Sequence, residues 1–347
     1  MLSLDNQTSF AARAVPLRDK DGYPVVVFVA KGTYSVSPDG VCKPAKEQKP
    51  LIEADEYYGD PQTTSVRYDS DFALFKPATD VVLIGSACAP AETPVRQLEV
   101  GLSVGSMTRT VRVFGNRRWK AGWLSASASE PEEFRRMPLT FENAFGGRDA
   151  THKDASAHAW EARNPIGKGF RVNPQSDAEK GKSLDGWPLP NLEDPASPIK
   201  SWKDKPTPAA MGFVGRSWQP RLGFAGTYDE AWTRKRCPIL PVDFDYRFFN
   251  AAPTGQVYPG YLKGGEPVTL THVTPEGLLS FSLPRARLVL ETRCLKQLLQ
   301  RELVLDTVVL FTDERLCLLV WRGSVRYRDS LDDFEGAELF QAAEGKS

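Results

Sequence analysis

Within the first third of the chain, hydrophobic and polar residues alternate over residues 98–104 and 110–114, at the two-residue period of a half-buried strand. Between Leu98 and Val104 every second residue is apolar, and the residues between them are glutamate, glycine and serine. This alternation places the apolar side chains on one face, as in an antiparallel strand with one face in the core. The apolar, largely β-branched run Val25–Ala30 predicts another strand, which leads into residues 31–36. Short strands with frequent turns favour a sandwich or a distorted barrel.

The strand pattern returns after Asn250. Pro267–Thr271 and Leu278–Leu283 flank a Pro-Glu-Gly turn and predict one hairpin, while Leu303–Phe311 and Leu316–Trp321 predict a second. Short helices are expected in only three places: Glu130–Arg136, Asp229–Lys235 and Leu295–Leu303.

The middle of the chain, from about residue 141 to 250, is rich in tryptophan, glycine and proline. Seven of the eight tryptophans lie between residues 119 and 232, and thirteen prolines lie between 161 and 260. Proline at this density disfavours long helices and central strands. Large aromatic side chains need dry surroundings, so we expect an ordered irregular segment that its aromatic residues anchor to the rest of the protein.

These patterns predict a mainly β fold with little helix, in which two antiparallel β-rich blocks, sandwich- or barrel-like, are joined by a long ordered Trp/Pro/Gly-rich segment. The expected divisions are an N-terminal β-rich block at 1–125, an irregular motif-rich segment packed on the core at 126–250, a C-terminal β-rich block at 251–330 and an acidic tail at 331–347. We expect the tail to fray.

Composition narrows the class of protein. Forty-four basic residues balance forty-four acidic ones, so the chain has no net positive charge that would attract nucleic acid or an anionic membrane. The longest apolar runs have six residues, whereas a membrane-spanning helix needs about 20. The first residues, MLSLDNQTSF, lack a basic region followed by an apolar one, so we expect no secretory signal and a cytoplasmic location.

The sequence contains few side chains in arrangements typical of a catalytic, metal-binding or cofactor-binding site. His152 and His158 match no zinc-binding spacing, and their neighbours are mainly alanine and serine. There is no GxSxG nucleophile elbow, no phosphate-binding loop and no GxGxxG. We therefore expect no catalytic residue, no metal and no cofactor.

Two features of the middle segment leave alternatives open. Asp243 and Asp245 would share a face if they lay on a strand and could then act as acid and base, or they could accept hydrogen bonds from loop backbone or pair with Arg247 or Arg236. In Phe145–Arg148 the paired glycines indicate a tight turn or a close backbone approach, and Arg148 could be a buried clamp.

Nine short motifs, in order and spread over nearly the whole chain, resemble a bacterial family of proteins, domain-of-unknown-function family 2169. They are AKGTYSV (30–36), YDSDFALFKPATDVVLIGSACAP (68–90), VRVFGNRRW (111–119), PLTFENAFGGRD (138–149), NPIGKGF (164–170), LPNLEDP (189–195), GTYDEAW (226–232), RCPILPVDFDYRFFN (236–250), and LDTVVLF with LVWRG (305–311 and 319–323). The family is encoded with type VI secretion systems.

The resemblance implies a non-enzymatic adaptor or chaperone in the bacterial cytoplasm. Such a protein binds a secreted effector or a PAAR-repeat tip protein, and helps to load it on the valine-glycine-repeat spike. The alternatives are an enzyme that uses Asp243, Asp245 or His152, and a structural component of the secretion apparatus. An adaptor could contact its cargo through exposed edge strands or through interface residues of the middle segment. The candidates for such contacts, each of which could instead pack inside the protein, are Arg148, Trp187, Trp218, Trp232 and Phe249.

Overall fold

The computed structural model of the protein describes residues 3–120, 122, 126–172, 184–328 and 330–342. Over these residues the fold is mainly β, as predicted, with several antiparallel sheets. The described residues contain a single α-helix, α1 (Glu230–Lys235). Short 3-10 helices occupy Pro90–Glu92, Phe141–Asn143, Ala155–Ala157, Arg221–Phe224, Tyr246–Phe249 and Leu331–Asp333. Within this part of the chain, no helix has the length and apolar character required to cross a membrane.

The strands are numbered in chain order. The first eleven are β1 (Leu4–Asn6), β2 (Ala11–Arg18), β3 (Pro24–Val36), β4 (Cys42–Pro44), β5 (Glu56–Tyr57), β6 (Val66–Tyr68), β7 (Asp80–Ile84), β8 (Ser86–Cys88), β9 (Gln97–Val104), β10 (Met107–Phe114) and β11 (Arg117–Lys120). The middle segment adds the short strands β12 (Ser127–Ala128), β13 (Arg136–Pro138), β14 (Phe145–Gly146), β15 (Arg148–Asp149), β16 (Ala159–Trp160), β17 (Lys168–Gly169), β18 (Pro188–Leu189) and β19 (Leu192–Glu193). The last seven are β20 (Pro267–Thr271), β21 (Leu278–Ser282), β22 (Leu288–Cys294), β23 (Gln297–Glu302), β24 (Val304–Phe311), β25 (Leu316–Arg326) and β26 (Phe334–Gln341).

The largest sheet has six strands, in the order β2–β3–β25–β24–β7 with β4 also paired to β3. Its pairs are antiparallel except β7 and β24, which run parallel. Residues 25–30 of β3 are buried on both faces of the sheet, which explains their continuous apolar sequence. Val26 and Phe28 on one face belong to the main core, while Val27 and Val29 on the other face pack against Phe72 and neighbouring apolar side chains.

Two further sheets close the core. One has the order β19–β10–β9–β20–β21, and the other β1–β26–β22–β23. Val100 of β9, Leu270 of β20, Leu290 of β22 and Leu319 of β25 all belong to one hydrophobic cluster with Val26 of β3. The sheets therefore pack around a shared core rather than around separate ones.

Strands from distant parts of the sequence pair directly with one another. Strand β3 pairs with β25, and β9 pairs with β20. The segments 1–125 and 251–330 thus contribute strands to the same sheets, and the middle segment adds β19 to the edge of one of them.

The structure confirms some of the predicted hairpins and helices and contradicts others. The hairpins β20–β21 and β24–β25 are confirmed, and so is the helix at 229–235, where the Asp229 carboxylate accepts a hydrogen bond from the backbone N–H of Trp232. The helix expected at Glu130–Arg136 is wrong, because that segment is irregular and leads into β13. The helix expected at Leu295–Leu303 is also wrong, because a two-residue turn there joins β22 to the edge strand β23.

The expectation that the acidic tail frays is wrong for residues 334–341. These residues form β26, which lies between β1 and β22 in the four-stranded sheet. Phe334, Ala337 and Leu339 are buried in the main core, and the acidic side chains at Glu335 and Glu338 point to solvent. Three apolar side chains bury one face of this acidic segment in the core, which favours the strand over a frayed tail.

Most of the tryptophans between residues 119 and 232 lie in dry surroundings, as expected. Five are buried or half-buried: Trp119, Trp187, Trp202, Trp218 and Trp232. Trp160 is the exception, because 61% of its surface is exposed. Trp123 lies outside the described residues.

Candidate functional site

The irregular middle segment is held together by buried polar side chains, and Asn164 is one of them. Its side-chain amide donates hydrogen bonds to the backbone carbonyls of Phe141, at 2.8 Å, and Phe145, at 3.0 Å. Asn164 is fully buried. It therefore joins the motif at 138–149 to the motif at 164–170, and replaces the ladder hydrogen bonds that a regular sheet would supply.

The paired glycines between these motifs allow a close backbone approach, as predicted. A Cβ on Gly146 would lie 2.2 Å from the backbone oxygen of Asn164, and a Cβ on Gly147 would lie 2.4 Å from that of Gly167. Both glycines also have positive φ angles. These positions require glycine on both counts.

Lys168 links three further stretches of the chain. Its ammonium donates to the side-chain oxygens of Asn143, at 3.0 Å, and Asn191, at 2.9 Å. The Asn191 amide in turn donates to the carbonyl of Phe114 in β10. Burial lowers the pKa of Lys168. The middle segment is thus fastened both to itself and to the five-stranded sheet.

Arg221 fastens the other end of the middle segment to the N-terminal part of the chain. Only 2% of its surface is exposed, and it forms a buried ion pair with Asp69. Its remaining hydrogen bonds go to the backbone carbonyls of Val214 and Phe248. Burial works against the charged form of Asp69, but Arg221 and then Arg216 outweigh it and hold the pKa of that carboxyl below its ordinary value.

An open apolar cleft of about 520 Å³ lies beside Arg221. Its walls come from the 3-10 helix at 221–224, the loop at 250–257 and the residues around 207–208. Its main apolar contributors are Phe141, Val214, Pro220, Phe224, Pro253 and Val257. A cleft of this size and apolar lining is the usual form of a binding site for a small molecule or for a few side chains of a partner.

The charged side chains at the cleft already have partners. The Arg163 guanidinium pairs with Glu161 at 2.7 Å, and the Arg247 guanidinium pairs with Asp245 at 2.6 Å and lies over the ring of Phe224. Arg221 is paired as described above. The cleft therefore offers apolar surface bordered by neutralised charges.

A second groove, of about 550 Å³, adjoins the cleft, and Gln219 lines both. Its walls are mostly aromatic and aliphatic: Trp160, Pro165, Ile166, Trp218 and Leu222. Arg148 is the one charged residue among those that line it. Trp160 and Leu222 expose a large part of their side chains at this groove.

The structure separates the five interface candidates into two groups. Arg148 is exposed, so the interpretation as a buried clamp is wrong, and it lines the second groove together with Trp218. Trp218 also packs within its own chain, against Phe141, and so do the other three candidates. Trp187 packs with Trp119, and its ring faces the Arg171 guanidinium. Trp232 donates its indole N–H to the carbonyl of Ile239 and packs edge-on against Tyr228. Phe249 packs in a cluster with Phe244 and Phe248.

Asp243 and Asp245 do not lie on a strand, and each has its own partner. Asp243 accepts hydrogen bonds from the backbone N–H and the hydroxyl of Thr227, which lower the pKa of its carboxyl. Asp245 accepts from the guanidinium and the backbone N–H of Arg247, which likewise lower its pKa. The interpretation as hydrogen-bond acceptors is confirmed, with Arg247 rather than Arg236 as the paired arginine.

His152 and His158 lie together on an exposed loop. A ring nitrogen of His158 lies 2.9 Å from the backbone oxygen of His152, and a ring nitrogen of His152 accepts from the backbone N–H of Asp154. Among the described residues, no three histidine, cysteine or acidic side chains are placed to hold a metal ion.

Sequence reasoning did not find the apolar cleft. Its residues come from positions as far apart as Phe141 and Val257, and they follow no period. The Ala-Ala-Pro-Thr-Gly stretch at 251–255, part of which lines the cleft, matches no recognisable motif. Trp160 is one of the tryptophans expected in dry surroundings, and the structure exposes it instead.

A protein-family model, described as an uncharacterized protein conserved in bacteria (DUF2169), matches residues 21–322. No curated protein and no solved structure matches the chain.

Proposed function

The chain belongs to the DUF2169 family of proteins conserved in bacteria, and on that premise we propose that it is a non-enzymatic adaptor. In this proposal it binds a type VI secretion effector or a PAAR-repeat tip protein in the bacterial cytoplasm and helps to load it on the valine-glycine-repeat spike. The secretion context rests on the resemblance of the nine motifs.

The observation that carries the binding role is the apolar cleft beside Arg221. Its walls include Phe224, Pro253 and Val257, while the charged groups around it are already neutralised. Apolar surface surrounded by satisfied polar groups is suited to the desolvated centre of a protein interface. A cleft built for chemistry would instead be expected to hold a free acid, base or nucleophile within reach of a substrate.

The way the cleft is built also supports an adaptor. Most of its lining belongs to the motif-rich segment, which buried groups such as Arg221 and Asn164 hold in place. A surface that is ordered before binding spends less of its interaction energy on ordering. An adaptor that must hold a cargo and then release it needs a preformed site rather than a very large one.

The proposal is tested by co-expression with each effector, tip and spike protein encoded beside this gene. We expect one effector or tip protein to co-elute with this chain in size-exclusion chromatography, and to be insoluble or degraded when this chain is omitted. Failure of all these neighbours to form a complex would overturn the proposal.

A further inference from the structure

We propose that the groove lined by Arg148, Trp160 and Trp218 is a docking surface for a short acidic peptide segment. In this arrangement Arg148 pairs with an aspartate or glutamate of the segment, and an adjacent aliphatic or aromatic side chain packs on Trp160. The inference goes beyond the proposed function, because it depends neither on the apolar cleft nor on the identity of the cargo.

Arg148 and Trp160 are cross-strand neighbours. They lie directly opposite each other in the antiparallel pair β15–β16, and both side chains are exposed. Residues placed in this way have Cβ atoms about 5 Å apart on one face of the ribbon. A carboxylate and an apolar side chain that are neighbours on a partner can therefore reach both residues at once.

The charge of Arg148 is available to a partner. Its side chain makes no hydrogen bond or ion pair with any residue that the structure describes, and the groove itself is lined by no acidic residue. The nearest acidic residues in the chain are already engaged. Asp149 accepts from Arg171 at 2.8 Å, and Glu161 accepts from Arg163 at 2.7 Å. A lone exposed guanidinium in an otherwise uncharged groove is complementary to one carboxylate.

A peptide fits this arrangement better than a nucleic acid. Binding to a nucleic acid backbone depends on several phosphate contacts, each with its own lysine or arginine. The groove supplies one such cation, and the chain as a whole has no excess of basic residues. Tryptophan and arginine, by contrast, are the residues that most often dominate protein interfaces.

The apolar part of the groove can receive a side chain. Trp160 exposes 61% of its surface, and Ile166, Pro165 and Leu222 lie around it. Trp218 is mostly buried and packs edge-on against Phe141, so it forms a fixed floor rather than a mobile wall. Exposed tryptophan in such a setting offers a large contact area at a low cost in side-chain entropy.

The ribbon that carries Arg148 is held rigidly. Gly147, which precedes it, donates its N–H to the Asn164 carbonyl and accepts from the N–H of Glu161. The backbone N–H of Gln219 donates to the carbonyl of Ala162 and fixes the opposite wall. The groove is thus formed before a ligand arrives, which favours recognition of a short segment.

The test is selection of random twelve-residue peptides displayed on phage, against the full-length wild-type chain and against Arg148→Glu. We expect the wild type to enrich peptides in which aspartate or glutamate neighbours leucine, phenylalanine or another apolar residue. Arg148→Glu should instead enrich lysine or arginine at that position, because the charge of the site is reversed.

The enriched peptide is then labelled with a fluorophore, and its binding is measured by anisotropy. We expect Arg148→Ala and Trp160→Ala each to weaken binding about tenfold or more, with Arg148→Gln as a second, uncharged replacement. Two controls should bind as the wild type does: Arg301→Ala, which removes another exposed arginine, and Thr254→Trp, which lies in the apolar cleft.

Three results would overturn the inference: no enrichment above background, an enriched sequence without an acidic residue, or unchanged binding in both Arg148→Ala and Arg148→Gln. Because the peptides contain no effector or tip protein, failure here leaves the adaptor proposal standing. Failure of the co-expression experiment likewise leaves this result standing.

Discussion

Arg221 and Asp69, which are 152 residues apart in the sequence, form a bidentate ion pair inside the protein. The two guanidinium nitrogens lie 3.0 and 3.1 Å from the two carboxylate oxygens. Asp69 follows strand β6, and Arg221 begins the 3-10 helix that forms a wall of the apolar cleft. This one contact therefore joins the cleft to the N-terminal part of the fold.

Replacing Arg221 with alanine should destabilise the protein strongly. The substitution leaves the Asp69 carboxylate buried without its main partner, and also frees the carbonyls of Val214 and Phe248. Removing one member of a buried pair typically costs about 3–5 kcal/mol. The free energy of unfolding from urea titration measures the loss.

Two further variants show whether the ion pair is the cause. The double variant Arg221→Met with Asp69→Leu removes both charges and should recover much of the lost stability. Arg234→Ala breaks an exposed pair with Glu230 and should cost at most about 0.5 kcal/mol. A loss at Arg221 no larger than that at Arg234 would contradict this account of the cleft wall.

Acidification should destabilise the protein partly through Asp69. Its pKa is lowered in the folded state, so the stabilisation is complete above the ordinary aspartate pKa of about 4 and is lost as the pH falls through the folded value. The nearby Asp55 has a pKa raised first by burial and then by Asp69. Its effect on the free energy of unfolding therefore has the opposite dependence on pH: it favours the folded state as the pH falls.

The contribution of Asp69 is measured by urea unfolding between about pH 5 and pH 3 for the wild type and Asp69→Asn. The wild type should lose stability more steeply, because the variant has no carboxyl at this position to titrate. Equal slopes would mean that Asp69 is not held in its charged form by Arg221 and Arg216.

Gly147→Ala should destabilise the folded protein, and it should also disturb the groove lined by Arg148 and Trp160. The added methyl group would lie 2.4 Å from the Gly167 carbonyl oxygen, and the φ of +102° is strained for alanine. We expect a loss of more than about 1 kcal/mol in unfolding free energy. Gly212→Ala is the matched control, because nothing lies within 4 Å of its added methyl. Similar stabilities of the two variants would contradict the close approach.

Asp243→Ala should lower the thermal unfolding midpoint without disrupting partner binding. The substitution removes both hydrogen bonds to Thr227, which hold the loop that leads into α1. Differential scanning fluorimetry gives the midpoint, and Asp243→Asn should fall between the wild type and the alanine variant. An unchanged midpoint together with loss of the partner would instead assign Asp243 a direct functional role.

Local sequence patterns predicted where the strands lie better than they predicted which strands pair with one another. The hairpin β20–β21 followed from a Pro-Glu-Gly turn between two apolar segments, because both signals lie within sixteen residues. The parallel pairing of β7 with β24 brings together residues more than 200 positions apart, and neither sequence alone specifies it. Sheet order is set by how the faces pack in the shared core.

The wrong predictions for residues 295–303 and 334–341 also arise because pairing with other strands, rather than local sequence, decides the conformation. The sequence QLLQRE of β23 has no two-residue alternation, because an exposed edge strand has no buried face to require one. Its pairing with β22 decides its conformation.

The cleft and the groove are also tertiary features. Arg148 and Trp218 could be proposed as interface residues from their types, but the position of Trp160 beside them depends on the pairing of β15 with β16.

The most direct test of the adaptor account compares three versions of the chain, each co-expressed with the neighbouring effector or tip protein that the wild type binds. Thr254 is exposed and lines the apolar cleft, so Thr254→Trp fills the cleft without disturbing the core. Gln300→Trp places the same bulk on the exposed edge strand β23. The account predicts that the wild type and Gln300→Trp co-elute with the partner in size-exclusion chromatography and that Thr254→Trp, although equally folded, does not. A complex that survives Thr254→Trp but is lost in Gln300→Trp would contradict it and would place the cargo on the edge strand.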